Sequence, residues 1–388
     1  MRILMVSDVY FPRVNGVSTS IQTFNHELRK RGHEIVLLAP EYPQGPADDE
    51  TDIVRIPARR VIMDPEDRMM FYRNILQRTA ALKEHPFDIL HIQTPFVAHY
   101  AGIRLARALN IPVVETYHTL FEEYLFHYLP FLPRSALRLA ARQFTRSQCN
   151  GTDAVIAPSG PMRDVLRRYG VSNRIEVIPT GMQMERFNNG DGARFRAQYR
   201  IPADRPTLVH VGRIAHEKNI DFLIHTLAEV RKAVPDVLLI IAGEGPALEH
   251  LRRLVGLLKL QDNVLFVGYL SRNGALLDCY RAGNVFVFAS RTETQGLVLL
   301  EAMALAVPVV STAVMGTKDI LDAGKGALIA EDNLQDFSDK VVKLLNNSEL
   351  RKQLGEEAKE YAATWSASAL AEKMQTLYLD LIEKHGRH

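Results

Sequence analysis

Short apolar strands alternate with helical stretches along this chain, and the alternation starts a second time near its middle. Strands are predicted at residues 3–7, 34–39, 89–93, 112–117, 154–157 and 176–178, and again at 207–211, 237–242, 264–267, 285–288 and 308–311. Such alternation is typical of a parallel sheet covered by helices on both faces. Because 388 residues are too many for one ordinary core, the pattern predicts an α/β protein with two Rossmann-like, doubly wound domains.

The predicted break between the domains is a segment rich in asparagine, glycine and proline that extends from about Gly181 to Pro206. We therefore expect one domain at 1–185 and another at 186–365. A final helix at about 366–388 follows Trp365, the only tryptophan, and is expected to pack back on the first domain. Four further helices are predicted at 18–31, 219–234, 246–258 and 297–305.

Composition argues against several classes of protein. A formal net charge of +2 is too low for a dedicated nucleic-acid binder. Cys149 and Cys279 are far apart and form no metal or redox motif, which favours a reducing, cytoplasmic setting. The apolar run after Met1 is too short for a signal peptide, and no run reaches the length of a membrane span, so any membrane contact is expected to be peripheral.

The most informative motif is the stretch 290–303, in which a strand leads through a polar loop and Gly296 into an apolar helix. The amides from Gly296 to Val298 are expected to form an anion site at the start of this helix. Glu293 and Glu301 flank it, which suits a ligand with a central phosphate and hydroxyls on both sides, such as a sugar nucleotide. The alternative is a capped amphipathic helix with solvated glutamates, but Glu301 lies among apolar residues.

This stretch resembles the E-x7-E motif of the retaining glycosyltransferases of family 4, which have the GT-B fold of two Rossmann-like domains facing across a cleft. The resemblance implies that Glu293 contacts the donor sugar and takes part in catalysis, and that Glu301 holds the ribose. It also implies that backbone amides at Gly296, Leu297 and Val298 bind the diphosphate. Residue 295 departs from the pattern, since Gln295 stands where many members have phenylalanine. The resulting Glu-Thr-Gln-Gly sequence resembles that of enzymes that make glycolipids, the bacterial diacylglycerol α-glucosyltransferases in particular.

A second motif, at 211–219, follows a predicted strand and contains Arg213 and Lys218, two cations five residues apart. Fixed cations can neutralise a departing diphosphate without a metal, and the family resemblance assigns them that catalytic role. From spacing alone, a solvated basic turn is the alternative. The sequence has no Asp-x-Asp pair for a metal, so neither a metal nor another cofactor is expected.

Glycine-containing loops follow several other strands. Gly243, Glu244 and Gly245 resemble the family's loop beside the nucleotide, although Gly-x-Gly alone often marks only a tight turn. Gly268 is expected near the base, again by resemblance. In the first domain, Gly16 matches the family's glycine loop near the diphosphate, where many members have two glycines.

His118 ends a predicted strand within the sequence Glu-Thr-Tyr-His-Thr. A histidine at the carboxyl end of a strand could donate a hydrogen bond to the transferring sugar or orient the acceptor. An isolated histidine is more often structural, but the position and the motif favour a functional role. His91 and His99 lack such support and are predicted to be structural.

Arginine recurs at every fourth position of the stretch 133–149, which lacks acidic residues, and an aromatic, apolar segment at 124–132 precedes it. Together they could bind an anionic membrane or line an acceptor groove; the alternative is a core segment with a solvated face. The candidate residues for the acceptor or membrane are Tyr124, Phe126, Arg134, Arg138, Arg142 and Arg146.

These patterns predict transfer of a hexose from a nucleotide-diphospho-sugar, with UDP-glucose favoured, to a hydroxyl of a membrane lipid such as diacylglycerol, giving an α-glycoside. The protein is expected to be cytoplasmic, with peripheral contact to the inner face of the plasma membrane. A GDP-mannose-dependent mannosyltransferase is the nearest alternative. A sugar-nucleotide epimerase or hydrolase, a glycosidase and a non-catalytic sugar-nucleotide sensor are the others.

Overall fold

A computed structural model describes residues 1–43, 52–61, 68–120, 133–271 and 274–386. The chain divides into two compact units, one formed by Met1–Gly181 with Ala367–His388 and the other by Met182–Ser366. For comparison, the sequence predicts a boundary after residue 185.

In the described part of the first unit, seven parallel strands form a sheet in the order β3-β2-β1-β6-β7-β8-β9, and β4 and β5 form an antiparallel pair. The strands are β1 (Arg2–Val6), β2 (Glu34–Pro40), β3 (Ile53–Ile56), β4 (Ala58–Arg60), β5 (Arg68–Met70), β6 (Ile89–Ile92), β7 (Val113–Thr116), β8 (Ala154–Ala157) and β9 (Arg174–Val177). The helices are α1 (Gly16–Lys30), α2 (Tyr72–Gln77), α3 (Thr79–Lys83), α4 (Val97–Leu109), α5 (Arg134–Cys149), α6 (Gly160–Arg168) and, at the end of the chain, α15 (Ala367–His385).

The second unit contains a six-stranded parallel sheet in the order β12-β11-β10-β13-β14-β15, within the residues that the structure describes. Its strands are β10 (Thr207–Val211), β11 (Leu238–Ala242), β12 (Val264–Gly268), β13 (Val285–Phe288), β14 (Val309–Thr312) and β15 (Ala327–Ala330). Its helices are α7 (Gly192–Gln198), α8 (Ile220–Ala233), α9 (Leu248–Leu257), α10 (Ala275–Ala282), α11 (Leu297–Ala304), α12 (Thr317–Leu321), α13 (Leu334–Leu345) and α14 (Ser348–Thr364).

Both sheets are buried on two faces, which explains the apolar runs that predicted them. Every residue of β6, β7, β8, β10, β11, β13 and β14 is buried, as expected for parallel strands with helices on either side. In each sheet the strand order reverses beside the first strand, β1 or β10. Ligands of doubly wound sheets bind beyond the carboxyl ends of the strands at such a switch point. Each unit therefore presents one edge at which to look for a site.

Helix starts are set by polar caps, and one of them corrects a predicted boundary. Helix α1 begins at Gly16 rather than at Ser18, because the Asn15 side chain accepts a hydrogen bond from the Ser18 amide at 2.9 Å. A cap of this kind stabilises a helix by about 1 kcal/mol.

Part of the segment predicted as a linker is structured and belongs to the second unit. The Asp191 side chain caps helix α7 through the Arg194 amide at 3.0 Å. Phe195 of that helix is 2% exposed and belongs to the core of this unit. The side chain of Arg194 in turn forms an ion pair with Asp278 of α10 at 2.7 Å. The stretch that the sequence marks as the break between the domains thus contains a helix of the second unit, and the boundary between the units lies at its start.

Helix α15 completes the core of the first unit. Its buried residues Met374, Leu377 and Tyr378 belong to the same hydrophobic cluster as Ile3 and Phe24. Within the described part of the chain, no helix is both long and apolar enough to cross a membrane.

Candidate functional site

The loop between β13 and α11 brings Glu293 to the carboxyl edge of the second sheet. The Glu293 Oε1 atom lies 2.6 Å from the Nζ atom of Lys218, and the two side chains are 17% and 21% exposed. Lys218 itself follows β10, the strand beside the switch point. Two residues predicted from separate motifs, 75 positions apart, therefore form one partly buried ion pair.

The loop that carries Lys218 is anchored at both of its ends. The Gly212 amide donates to the Ala242 carbonyl at 3.0 Å, and the Ile214 amide donates to the Glu244 carbonyl at 2.8 Å. Asn219 has a left-handed backbone, with φ 57°, and its side chain donates to the Ala289 carbonyl at 3.1 Å. Arg213 lies in the same loop, half-buried, with a guanidinium nitrogen 3.8 Å from a carboxylate oxygen of Glu217.

The glycine loop after β11 is needed for this anchoring. Gly243 and Gly245 have φ of 138° and 153°, values that favour glycine strongly. A Cβ atom at Gly243 would lie 1.9 Å from the Gly212 carbonyl oxygen, and one at Gly245 would lie 2.4 Å from that of Ile214. The Gly243 amide also donates to the Gly268 carbonyl at 2.8 Å. The loops after β10, β11 and β12 therefore meet through backbone contacts, which leaves no room for side chains there.

Helix α11 begins at Leu297, directly after Gly296, whose φ is 95°. The N-cap residue Gly296 supplies no side-chain cap, so the start of α11 can offer backbone amides and the positive end of its dipole to an anion. Leu297 and Val298 are half-buried, whereas Gln295 is buried.

Glu301 lies deeper than its partner in the motif. It is 4% exposed, and its Oε2 atom accepts a hydrogen bond from the Tyr280 hydroxyl at 2.8 Å. Tyr280 belongs to α10 and is fully buried. The carboxylate is thus held by the core on one side, and sequence reasoning missed this tyrosine because only the fold brings α10 next to α11.

Gly316 is a second residue that the sequence motifs did not identify. Its amide donates to the Glu293 carbonyl at 2.9 Å. A Cβ atom at this position would lie 2.2 Å from the Thr294 carbonyl oxygen and 2.5 Å from the Gln295 amide nitrogen. The turn before α12 therefore presses directly on the loop of Glu293. In the sequence, Gly316 stands out only as a lone glycine after the strand β14, which is too little to identify it as part of the site.

In the first unit, three loops at the carboxyl edge contain residues that could face a ligand. Gly16 opens α1 after β1, His118 follows β7, and Gln93 follows β6. The His118 Nε2 atom lies 3.0 Å from the Oε1 atom of Gln93. Gly16 is exposed, and a Cβ atom there would have no atom of the described residues within 4 Å. Neither its backbone angle nor its packing requires a glycine, because its φ is not in the left-handed region.

Asp8 is also buried at this edge and was not predicted as a site residue. Its Oδ2 atom accepts hydrogen bonds from the Thr94 hydroxyl and the Ala98 amide, each at 2.9 Å. Burial raises the pKa of Asp8 to about 7, because a charged carboxylate is poorly solvated there.

The two histidines that were predicted to be structural are both buried in the first unit. The Nδ1 atom of His91 lies 2.5 Å from the Tyr378 hydroxyl, and its Nε2 atom lies 2.7 Å from that of Thr116. His99 pairs with the buried Glu115 at 3.1 Å.

Three histidine side chains have a pKa below the usual value for histidine. Burial, together with the nearby ring of His118, lowers the pKa of His91 to about 3. Burial also lowers the pKa of His118 and that of His210, which lies on β10, to about 4. All three rings are therefore neutral at pH 7.

We expect the unfolding temperature to fall as the pH is lowered from 7 to 5. Below about pH 6.5 the unfolded chain protonates His91, His118 and His210, whereas the folded chain does not, and this favours unfolding. Asp8 acts in the opposite direction, since the folded state binds its proton from about pH 7 downward. The destabilising effect of the three histidines is larger than the stabilising effect of the single carboxyl group of Asp8. Calorimetry at several pH values measures the trend.

An unfolding temperature that stays constant or rises over this range would contradict the expectation. The matched control is His225→Gln, which changes an exposed histidine of α8 and should leave the trend unchanged.

The arginine-rich segment forms helix α5, as its spacing predicts. Arg138, Arg142 and Arg146 are exposed, and so is Leu139, at 71%. The guanidinium of Arg142 lies 5.4 Å from the centre of the Tyr169 ring. The preceding candidates, Tyr124 and Phe126, lie outside the described residues, and Arg134 is described only as the first residue of the helix.

The structure thus groups the candidate residues at two sheet edges. Arg213, Lys218, Glu293 and the glycine loops lie at the carboxyl edge of the second sheet, and Gly16 and His118 lie at that of the first. The described residues contain no cluster of three or more His, Cys, Asp or Glu side chains that could hold a metal ion.

Known protein families match both halves of the chain. Residues 14–186 match the model of Glycosyltransferase Family 4, and residues 191–361 match that of Glycosyl transferases group 1.

Characterised relatives include an α-monoglucosyldiacylglycerol synthase of Streptococcus pneumoniae, 35% identical over 80% of this chain and 71% of the relative. The α-monoglucosyldiacylglycerol synthase of Acholeplasma laidlawii is 28% identical over 100% of this chain and 99% of the relative. A GDP-mannose-dependent α-mannosyltransferase of Corynebacterium glutamicum is 27% identical over 85% and 77%.

Solved structures share the fold across nearly the whole chain. Sucrose-phosphate synthase from Thermosynechococcus elongatus superposes with a TM-score of 0.81 over 99% of both chains at 22% identity. Anabaena Alr3699/HepE, in complex with UDP-glucose, gives a TM-score of 0.77 over 97% of this chain and 99% of that one at 17% identity. The chain therefore belongs to the glycosyltransferases of family 4 with the GT-B fold and is a hexosyltransferase.

Proposed function

We propose that this enzyme transfers glucose from UDP-glucose to a hydroxyl of a membrane lipid, diacylglycerol in the first place, and forms an α-glycoside. The observation that carries this proposal is the ion pair of Lys218 and Glu293 in the loop that leads into α11, whose N-cap is Gly296. It places a cation, a carboxylate and helix amides at one sheet edge, which matches the parts of a nucleotide-diphospho-sugar.

Lys218 and Arg213 are the groups that we assign to the diphosphate. In the catalytic step, the bond from the sugar to the diphosphate breaks and negative charge develops on the phosphate oxygen. Preorganised cations and amides stabilise that charge most strongly where water is excluded. Both side chains are partly buried, and the start of α11 can add its dipole. We therefore propose that the transfer does not require a metal.

The glutamates are assigned to the hydroxyl groups of the donor. A carboxylate can accept hydrogen bonds from two neighbouring hydroxyls, and Glu293 is the more accessible of the two. Its ion pair with Lys218 has to open when the donor binds, so that Lys218 can turn to a phosphate and Glu293 to the sugar. Glu301, anchored by Tyr280, is assigned to the ribose. The Gly243–Gly245 loop and Gly268 are assigned to the rest of the nucleotide.

Gly16 supports a ligand role for the first unit. Glycine loses more conformational entropy on folding than any other residue. No contact or backbone angle of the described residues requires one here. Close approach of a ligand to the backbone would require it, which is why we place part of the donor or acceptor at this turn.

The lipid acceptor is supported by α5 and by the relatives. Arg138, Arg142 and Arg146 form an exposed cationic stripe beside the exposed Leu139. Such a helix can lie on an anionic bilayer, where each cation contributes on the order of 1 kcal/mol. Two relatives are α-monoglucosyldiacylglycerol synthases. We accordingly propose peripheral binding to the inner face of the plasma membrane.

In the proposed reaction, the acceptor oxygen bonds to the sugar carbon on the face that the phosphate leaves, so the anomeric configuration is retained. The departing phosphate oxygen takes the proton of the acceptor hydroxyl. The products are then the α-glycoside and the nucleoside diphosphate, and no protein base is needed.

The function is tested by offering radiolabelled UDP-glucose or GDP-mannose with liposomes that contain diacylglycerol. We expect labelled lipid and an equal amount of UDP from the first donor. Liposomes without diacylglycerol provide the matched control, and free sugar is counted alongside. NMR of the product reports the configuration of the linkage.

Each alternative gives a distinct result in this assay. Labelled lipid from GDP-mannose alone would identify a mannosyltransferase, a function that the Corynebacterium relative favours. Free sugar or an isomerised donor without labelled lipid would favour hydrolysis or epimerisation. Nucleotide binding without turnover under any condition would favour a sensor and overturn the proposal.

A further inference from the structure

Gln93 is a buried residue that the sequence motifs did not identify. It follows β6, the strand beside the switch point of the first sheet, and is 4% exposed. The backbone amide of Gln93 donates to the Val6 carbonyl at 2.9 Å, which fixes its backbone to β1. Its side chain is directed at His118, and the two lie 3.0 Å apart through Oε1 and Nε2.

The neighbourhood of Gln93 fixes the orientation of its side-chain amide. The Nε2 atom of Gln93 lies 3.8 Å from the sulfur of Met5. A thioether sulfur has no hydrogen to donate and accepts only weakly. The NH2 group is therefore the end that faces sulfur, because a flipped amide would set two electron-rich atoms against each other. The carbonyl oxygen consequently faces His118.

That orientation determines the tautomer of His118. The Gln93 oxygen can only accept, so the hydrogen of this bond must belong to the Nε2 atom of His118. A neutral imidazole has a single N–H, and burial keeps this ring neutral by lowering its pKa to about 4. The Nδ1 atom must then present a lone pair. In the part of the chain that the structure describes, Nδ1 has no hydrogen-bond partner, and His118 as a whole residue is half-buried.

We propose that Gln93 is a positioning residue of the transfer site, which holds His118 in the Nε2–H tautomer so that Nδ1 accepts a hydrogen bond from a substrate hydroxyl. The substrate named in this inference rests on the proposed function, whereas the tautomer of His118 does not depend on it. It differs from one of the two roles that the sequence suggests for His118, which are to donate a hydrogen bond to the transferring sugar or to orient the acceptor. A neutral ring whose only N–H points at Gln93 cannot donate a hydrogen bond to the substrate.

The tautomer is tested directly by 15N NMR of protein labelled at histidine, with a His118→Asn variant to assign the signals. The wild-type ring should show a protonated Nε2 and an unprotonated Nδ1 at pH 7. Gln93→Met keeps the length of the side chain but removes the acceptor, so we expect a mixture of tautomers. Gln93→Glu would place a carboxylate beside the ring and raise the pKa of His118, so Nδ1 of this variant should gain a proton at a higher pH than in the wild type.

Kinetics show whether the tautomer matters for transfer. With UDP-glucose and diacylglycerol liposomes, Gln93→Met should lower kcat/KM on the order of tenfold, which corresponds to the loss of one hydrogen bond. A weaker affinity of Gln93→Met for UDP-glucose, measured without acceptor, would show that Nδ1 contacts a donor hydroxyl. A raised KM for the lipid would show that it contacts the acceptor hydroxyl.

Several results would overturn the inference. A wild-type spectrum with Nδ1–H would refute the tautomer without any variant. Unchanged kinetics in a folded Gln93→Met protein with mixed tautomers would remove the role in transfer. If the wild type transferred no sugar to any acceptor, the proposed function would fail, while the NMR result would still decide the tautomer.

Discussion

Replacing Lys218 by alanine should lower kcat/KM for sugar transfer by about a thousandfold, the upper range for one preorganised group at a developing charge. The Lys218 ammonium is partly buried and faces Glu293 at 2.6 Å. Its loss would remove a fixed cation from the diphosphate and leave the carboxylate unpaired. The measurement is steady-state kinetics with labelled UDP-glucose, together with the affinity for UDP.

The affinity for UDP separates the two effects of that change. Lys218→Ala should weaken UDP binding, because the cation is assigned to the diphosphate. Glu293→Gln should leave UDP binding nearly unchanged but lower transfer, because Glu293 is assigned to the sugar. Lys232→Ala is the matched control, since Lys232 also pairs with a glutamate, Glu229, but on the surface of α8. If Lys218→Ala bound UDP and transferred sugar like the wild type, the assigned role would be wrong.

Removing the exposed charges of α5 should produce the second large effect. A variant with Arg138, Arg142 and Arg146 all changed to glutamine is expected to bind anionic liposomes about a hundredfold more weakly, at roughly 1 kcal/mol for each cation. Added salt should also weaken the binding of the wild type to anionic liposomes, because it screens the charges of the arginines. Sedimentation with liposomes of graded anionic content measures both effects.

A second triple variant controls for total charge. Changing Lys232, Arg252 and Arg253 to glutamine also removes three positive charges, from exposed positions of α8 and α9. It should bind liposomes like the wild type. Equal losses in the two variants would show that net charge, and not the stripe on α5, determines the binding.

Sequence patterns predicted the buried strands well because burial on two faces leaves little choice of residue. β8, β10 and β13 begin and end at the predicted residues. β3 was missed, since Arg55 interrupts its four residues. Its guanidinium reaches the Pro40 carbonyl at 3.1 Å and lies 5.7 Å from the centre of the Tyr10 ring. Such long-range contacts are not visible in a local pattern.

The same distinction applies to the candidate site. Glu293 and Lys218 could be found because each lies in a local motif. Tyr280 and Gln93 could not, since their partners lie 21 and 25 positions away on other elements and only the fold brings them together. The motifs thus identified the residues assigned to the ligands, whereas the residues that hold them required the structure.

The contribution of α15 to the first core has a consequence for synthesis on the ribosome. Leu377 and Tyr378 pack with Ile3 and Phe24, yet the whole second unit is translated between them. At about 5–20 residues per second, the nascent first unit would wait roughly ten to forty seconds for its last helix. During that time the apolar groove that α15 will fill stays open to solvent or to chaperones. The residues that are made first therefore depend on the last helix of the chain to complete their core.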